Sequence, residues 1–202
     1  IGENTIGKLM NTTGTVAYIS ASFSEGNLGV TAEMKRTKNF SFRVDPNLTL
    51  LRGLINYLTP ISRQNTYRLT ARYTAPALDI SEMAYNLDVR YKFSKAFSAN
   101  INYSDIKTLE GERLYQEIFS EFIYKKDRLW QLTGGLQLLT YNQEIYETKA
   151  EVPLLKAVVP YADFLYKITP YKSLRFETQY MATKQDYGSW LFGLLEYNIV
   201  PR

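Results

Sequence analysis

The residue types that carry out most protein chemistry are scarce in this chain. Its 202 residues include no Cys and no His, which excludes thiol nucleophiles, disulfides and Ser-His-Asp catalysis. Glu117 and Glu121 are the best-spaced carboxylates for acid–base work. Residues four apart on a strand, however, lie about 13 Å apart, too far to share a proton. We interpret both as charges that face an interior, and we predict no catalytic residue.

Metal and cofactor sites are not indicated either. Glu144, Glu147 and Glu151 offer the oxygen ligands that Ca²⁺ prefers, but their spacing matches no calcium motif and a solvated loop explains them. No phosphate-binding loop, dinucleotide fingerprint or zinc-protease motif occurs. Basic and acidic residues are mixed at a net charge of +4, without the basic stripe of a nucleic-acid-binding protein. We therefore predict no metal, no cofactor, no nucleic-acid partner and no enzymatic activity.

The elements that position these residues are predicted from alternating side chains. In residues 83–93 every second residue is apolar, from Met83 to Phe93, and most residues between them are polar. Because successive side chains on a strand point to opposite faces, such a segment has one apolar and one polar face. The pattern recurs along nearly the whole chain and predicts eleven strands: 13–23, 28–44, 48–58, 66–74, 83–93, 97–104, 113–124, 128–141, 157–168, 173–183 and 189–199.

The strand lengths and connectors predict a barrel that spans a membrane. The segments are about as long as strands that cross a bilayer. From residue 66 onward, shorter and longer connectors alternate, as periplasmic turns and outer loops do. The mean hydropathy of −0.28 is compatible, since only every second residue would contact lipid. We predict an all-β fold, a transmembrane antiparallel up-and-down β-barrel, formed by a single domain over residues 1–202 in the outer membrane of a Gram-negative bacterium.

The strand number suggests that the barrel is larger than this chain. Eleven is odd, whereas bacterial single-chain barrels normally have an even number of strands. The chain begins at Ile1 without a signal peptide, and we expect it to be incomplete at one or both ends. Leu48, Leu51 and Leu58 also fit helical spacing, so a helix across 48–58 is an alternative there.

Polar side chains on the strands are predicted to face the barrel interior. An Arg or Lys facing lipid at mid-membrane would cost about 2–4 kcal/mol. These side chains would bound either a water-filled pore or a plug of paired charges. Both signs are present, so no strong ion selectivity is predicted. The predicted lumen-lining residues are Arg68, Arg72, Asp88, Arg90, Lys92, Glu117, Glu121, Gln131, Gln137, Arg175, Glu177 and Gln179.

Aromatic residues near strand ends form a second predicted set. Tyr and Trp are stabilised at the headgroup level, where one end of the ring is apolar and the other is hydrated. Core aromatics of a soluble β-protein are the alternative. The predicted membrane-interface residues are Tyr91, Phe93, Tyr103, Tyr124, Trp130, Tyr141, Tyr166 and Trp190.

Three segments of the chain carry a resemblance to a known family. They are NYLTPISRQ at 56–64, YNQE at 141–144 and ATKQDYGSW at 182–190, of which the last is the most distinctive. They resemble a Bacteroidota outer-membrane family of unknown function, over about residues 48–202. The resemblance implies the barrel fold and an outer-membrane location. It implies no activity and no catalytic residue, because the family has none established.

These features predict a passive channel or porin-like protein in contact with outer-membrane lipid. Barrels of about eight strands are filled by side chains, whereas those of 16–18 strands leave a channel. An alternative is a barrel that anchors or scaffolds a larger envelope assembly, such as secretion or surface-lipoprotein machinery, with other envelope proteins as partners. A soluble β-sandwich or lipid-binding barrel, with its apolar faces turned inward, is a further alternative.

Overall fold

The computed structural model describes residues 13–40, 44–45, 55, 59–127 and 129–200. Nine antiparallel strands form one sheet, and each pairs with its neighbours in chain order. The strands are β1 (Thr15–Glu25), β2 (Leu28–Lys38), β3 (Glu82–Lys92), β4 (Phe97–Thr108), β5 (Arg113–Lys126), β6 (Trp130–Tyr141), β7 (Leu155–Thr169), β8 (Lys172–Thr183) and β9 (Trp190–Ile199). A short helix, α1 (Gln143–Tyr146), follows β6.

Nine of the eleven predicted strands are confirmed. The largest difference in their bounds is at β2, which ends at Lys38 rather than at residue 44. The predicted strand 66–74 is wrong, because residues 68–71 form a turn in which the Ala71 N–H donates to the Tyr67 carbonyl at 2.9 Å. The predicted strand 48–58, with its helical alternative, lies outside the described residues except for residue 55.

The described strands form an open sheet rather than the closed barrel that the sequence predicted. β1 and β9 are its two edges, and they do not pair with each other. Since eight reversals separate them, β1 and β9 run in the same direction. Closure with antiparallel pairs throughout would therefore require an odd number of further strands, which would make the total even, as in bacterial barrels.

The strand register gives the sheet two different faces. Leu87 lies opposite Tyr103, and Ile118 opposite Leu138, on what we call the outer face. Asn86 lies opposite Ser104 on the other side, the inner face. We call residues 59–81, between β2 and β3, the cover segment, because they lie across the inner face from β2 to β9. Among the described residues no helix is long and apolar enough to cross a membrane.

The hydrophobic core lies between the cover segment and one end of the inner face. It lies near the longer connectors, where the strands contribute Ile106, Tyr115, Leu155 and Met181, all fully buried. Ile61, Leu69, Tyr73 and Ala75 of the cover segment pack onto these side chains. The core therefore fixes the cover segment against the half of the sheet that is nearest to the longer connectors.

Candidate functional site

Exposed large apolar side chains lie on the outer face from β1 to β9, on every strand but β2. They extend from Ile19 and Phe23 on β1 to Leu191 and Leu195 on β9, whose exposed fractions are 76% and 70%. Monomeric soluble proteins rarely expose apolar patches larger than a few hundred Å². An apolar face that spans nine strands therefore indicates an apolar environment. Further members are Tyr85, Leu87, Ile101, Ile118, Phe122, Leu132, Leu136, Leu138, Val158, Phe164, Phe176, Tyr180 and Ile199.

The charge-free part of this face has the height of a bilayer core. On β7 every outward residue from Val158 to Ile168 is uncharged, and Lys156 marks the limit. Ten residues of strand span about 33 Å, and a strand tilt of about 40° reduces this to about 25 Å, the height of the apolar band on transmembrane barrels. Along β7 the outer face is therefore uncharged over about 25 Å.

A row of aromatic rings lies on the outer face at the strand ends that the short connectors join, which we call the short-turn edge. The ring centroids of Tyr91 and Phe93 are 4.7 Å apart, and those of Phe93 and Phe97 are 5.1 Å apart. Tyr124 and Trp130 continue the row at 5.3 Å. Such rows mark the membrane–water interface of barrels.

The predicted interface aromatics divide between the two faces. Tyr91, Tyr124, Trp130 and Tyr166 lie on the outer face near strand ends, and Phe93 directly follows β3 beside Tyr91. Tyr103 also lies on the outer face, but it is opposite Leu87 in the middle of β3 rather than at a strand end. Tyr141 and Trp190 do not fit this prediction, because they lie on the inner face. Tyr141 packs against Tyr73 in the core, and the Arg72 guanidinium lies 4.7 Å above the Trp190 ring.

Ten of the twelve predicted interior residues lie on strands, and all ten share the inner face. They are Asp88, Arg90, Lys92, Glu117, Glu121, Gln131, Gln137, Arg175, Glu177 and Gln179. The other two, Arg68 and Arg72, lie on the cover segment rather than on a strand. The alternation prediction missed Arg63 and Asn65, which lie outside any alternating segment, and left out Asn100, although it lies on an alternating strand.

Buried hydrogen bonds hold the cover segment at the middle of the inner face. Asn65 Nδ2 donates to Glu117 Oε1 at 2.6 Å, and Gln137 Nε2 donates to the Thr70 carbonyl at 2.9 Å. The Leu69 N–H donates to Gln179 Oε1 at 2.7 Å. Because buried polar groups need partners, these bonds fix the register of the cover segment against β5, β6 and β8.

Arg63 continues these contacts toward the short-turn edge. Its Nη1 donates to Asn100 Oδ1 at 2.7 Å, and its Nη2 lies 3.6 Å from Glu121 Oε1. The guanidinium carbon lies 4.0 Å from the centre of the Phe119 ring, a cation–π geometry. One side chain therefore links the cover segment to β4 and β5 and neutralises the Glu121 carboxylate.

Asp186 lies in the connector between β8 and β9, and it holds the cover segment at the end of the strands opposite to the short turns. Its carboxylate accepts from the Tyr73 hydroxyl at 2.7 Å and from Lys149 Nζ at 3.1 Å, and Arg72 Nη2 lies 3.7 Å away. Partial burial raises the pKa of Asp186, but the Tyr73 hydrogen bond and the Lys149 ammonium outweigh burial, so the pKa lies below its ordinary value.

Replacing Asp186 with Asn should lower the free energy of unfolding by about 1 kcal/mol at pH 7, the usual contribution of a partly solvated charged hydrogen bond. Asn tolerates the left-handed backbone at this position, where φ is 54°. A carboxylate with a lowered pKa stabilises the fold above its unfolded pKa of about 3.9, and this stabilisation is lost as the pH falls through the folded pKa.

Denaturant unfolding at pH 7 and pH 3 measures this effect. The difference between wild type and Asp186→Asn should be present in full at pH 7 and smaller at pH 3. Lys184→Gln, an exposed change in the same connector, should have little effect at either pH. A difference of the same size at both pH values would contradict the proposed charge interaction.

Two adjoining clefts remain open on the inner face. One, of about 690 Å³, lies at the short-turn edge, and the other, of about 630 Å³, lies toward the middle of the sheet. Arg63 and Arg90 line both clefts. The inner face thus changes from apolar core to buried polar contacts to open, charged clefts along the strand direction.

Three of the carboxylates considered for catalysis or metal binding, Glu117, Glu121 and Glu147, have structural partners. Glu117 accepts from Asn65 and Gln137, whereas Glu121 faces Arg63 and the Tyr161 hydroxyl. Glu147 pairs with Lys149 at 2.7 Å. No group of three His, Cys, Asp or Glu residues that could hold a metal ion occurs in the described part of the chain.

Comparison with known proteins yields one match. A family model described as "Family of unknown function (DUF6029)" matches residues 3–202. Neither the curated proteins nor the solved structures contain a match. The predicted membership of a family of unknown function is confirmed, and the matched range includes both faces of the sheet and the cover segment.

Proposed function

Because this chain belongs to DUF6029, a family of unknown function, we propose its function from its own geometry: it forms the wall of a transmembrane β-barrel. The barrel lies in the outer membrane of a Gram-negative bacterium of the Bacteroidota. It acts as a porin-like passive channel without enzymatic activity, and the cover segment narrows its passage.

The observation that supports this proposal is the division of the sheet into two faces. The outer face is uncharged over about 25 Å along β7 and carries an aromatic row at its short-turn edge. Away from the strand ends, the charged side chains lie on the inner face, which also carries the open clefts. A soluble β-sandwich would need a second layer over the outer face, and the described residues supply none.

The channel proposal is tested by membrane extraction followed by conductance. The protein should stay with the membrane after salt and alkaline washes and be released by detergent. Reconstituted into planar bilayers, it should show low conductance, because the cover segment occupies part of the inner face. Replacing both Arg63 and Asn65 with Ala removes the side chains that hold the cover segment to Asn100, Glu121 and Glu117, and this should raise the conductance several-fold.

Arg36→Ala is the matched control. Arg36 lies on the outer face, at the end of β2 that is farther from the turn between β1 and β2. This variant should conduct as the wild type does. Recovery of the folded protein in the soluble fraction would contradict a membrane barrel. Absence of conductance from correctly inserted wild type and double variant would contradict the channel.

A second candidate function, a barrel that anchors or scaffolds an envelope assembly, is favoured by the filling of the inner face. The core and the bonds from Asn65 and Leu69 fill much of the described part of that face. Purification in mild detergent would then recover stoichiometric partner proteins. A barrel recovered alone, with measurable conductance, would contradict the anchor.

A further inference from the structure

Several acidic side chains on the inner face are paired with arginines. Asp88 accepts from Arg90 Nε at 2.7 Å and from Asn100 Nδ2 at 3.0 Å. Glu121 faces Arg63 at 3.6 Å. Farther along the sheet, Asp163 and Glu177 both contact the guanidinium of Arg175. Each of these carboxylates is therefore in contact with an arginine, and Asp163 and Glu177 share Arg175.

The lysines at the short-turn edge are in a different situation. Lys92, at the end of β3, and Lys125, near the end of β5, both face inward, and Lys95 lies in the turn between β3 and β4. All three line the 690 Å³ cleft. Within the described ranges, none of the three is within 4.0 Å of a carboxylate oxygen in any ion pair.

The lining of this cleft is therefore strongly positive. Five cationic side chains line it, the three lysines together with Arg63 and Arg90. Glu121 is the only acidic residue among the described residues that line it, and Arg63 already faces that carboxylate. Clefts lined by one sign of charge focus the electrostatic field and concentrate counter-ions. The neighbouring cleft adds Glu33 and Asp88 to the same two arginines and is balanced.

We propose that the 690 Å³ cleft binds phosphate or carboxylate groups, so that anionic solutes are the class that this channel takes. Lys92, Lys95 and Lys125 supply the charge, and the exposed guanidinium of Arg90 supplies directional donors. The assignment of a solute rests on the proposed function. The same phosphate chemistry could come from a lipid headgroup, because the aromatic row runs along the same edge of the sheet.

Calorimetric titration with inorganic phosphate tests the site on the full chain, folded in a zwitterionic detergent at low salt. Replacing both Lys92 and Lys125 with Gln should weaken phosphate binding at least tenfold. Lys126→Gln is the matched control, because Lys126 is the next residue but lies opposite Trp130 on the outer face. The control should bind phosphate as tightly as the wild type.

Flotation with vesicles separates the two sources of the anion. Binding to free phosphate that depends on Lys92 and Lys125 supports a solute site. The protein could instead prefer phosphatidylglycerol to phosphatidylcholine vesicles, with the same dependence on the two lysines, and not bind free phosphate. That result supports the site with a lipid headgroup as its ligand. Equal affinities of the wild type and the double variant in both assays would overturn the proposal.

The outcomes for the site and for the channel are independent. Titration in detergent requires neither membrane insertion nor conduction, so loss of the anion site leaves the channel proposal standing. Phosphate binding by a protein that inserts and does not conduct would retain the site and overturn the channel.

Discussion

Replacing Leu87 with Arg should destabilise the membrane-inserted protein by about 2–4 kcal/mol, the cost of an arginine on the lipid face at mid-membrane. Leu87 lies in the middle of β3 on the outer face, between Ala32 of β2 and Tyr103 of β4, and 41% of its surface is exposed. An exposed position in water usually tolerates such a change within about 0.5 kcal/mol. The size of the effect therefore distinguishes a lipid-facing surface from a solvated one.

Arg90→Leu is the control on the same strand. Arg90 lies three residues further along β3 on the inner face, and 73% of its side chain is exposed. Asp88 keeps its bonds from Asn100 and Asn102 when Arg90 is removed. Urea unfolding from lipid vesicles, followed by the heat-dependent shift in gel migration, should show a large loss for Leu87→Arg and little change for Arg90→Leu. Equal effects of the two changes would contradict the assignment of the faces.

The strands could be predicted because one physical requirement acts on every residue in them. A strand with different surroundings on its two faces must alternate, and β3 (Glu82–Lys92) and β8 (Lys172–Thr183) do so. Alternation also placed every strand-borne charge of the predicted interior on one face. That interior is a lumen only if the sheet closes into a barrel. Closure depends on pairing between strands that are far apart in the chain, which local alternation does not predict.

The cover segment could not be predicted, because its alternation has a different cause. Tyr67, Leu69 and Tyr73 alternate with polar residues as a strand would. In the structure Leu69, within the turn at 68–71, and Tyr73, just after it, both reach the core, while the Leu69 N–H bonds to the Gln179 side chain. The Leu69 N–H thus bonds to a side chain 110 residues away and not to the backbone of a neighbouring strand. The local sequence gives no sign of this bond.

The charge pattern of the two clefts also depends on the cover segment, which local sequence did not predict. From composition alone, acids and bases on the inner face are mixed and no ion selectivity follows. The structure places Arg63, from outside the strands, against Glu121 and leaves Lys125 without an ion pair among the described residues. The position of one unpredicted arginine thus converts a mixed surface into a positive cleft.

Replacing Gly135 with Ala should prevent the central strands from pairing correctly. A Cβ on Gly135 would collide with the Ser120 carbonyl oxygen of β5 and would lie 2.6 Å from the Tyr161 hydroxyl oxygen. Overpacking with flexible side chains typically costs about 1–3 kcal/mol, and here a backbone atom is in the way. We therefore expect a loss above that range, seen as a failure to reach the folded gel form or as a much lower urea midpoint.

Gly134→Ala separates the close approach from the general effect of losing a glycine. Gly134 faces outward, and a Cβ there would meet only the Tyr161 carbonyl oxygen, at an ordinary 3.5 Å. Both glycines lie in β6, so the change in unfolded-chain entropy is the same for both. Over Gly135, however, the Tyr161 ring stacks on Phe119 with centroids 5.4 Å apart and meets Tyr67 of the cover segment at 4.6 Å. An alanine at position 135 would displace the Tyr161 ring, against which the cover segment packs. Gly135→Ala should therefore also loosen the cover segment. If the protein tolerated both Gly134→Ala and Gly135→Ala, this packing would be contradicted.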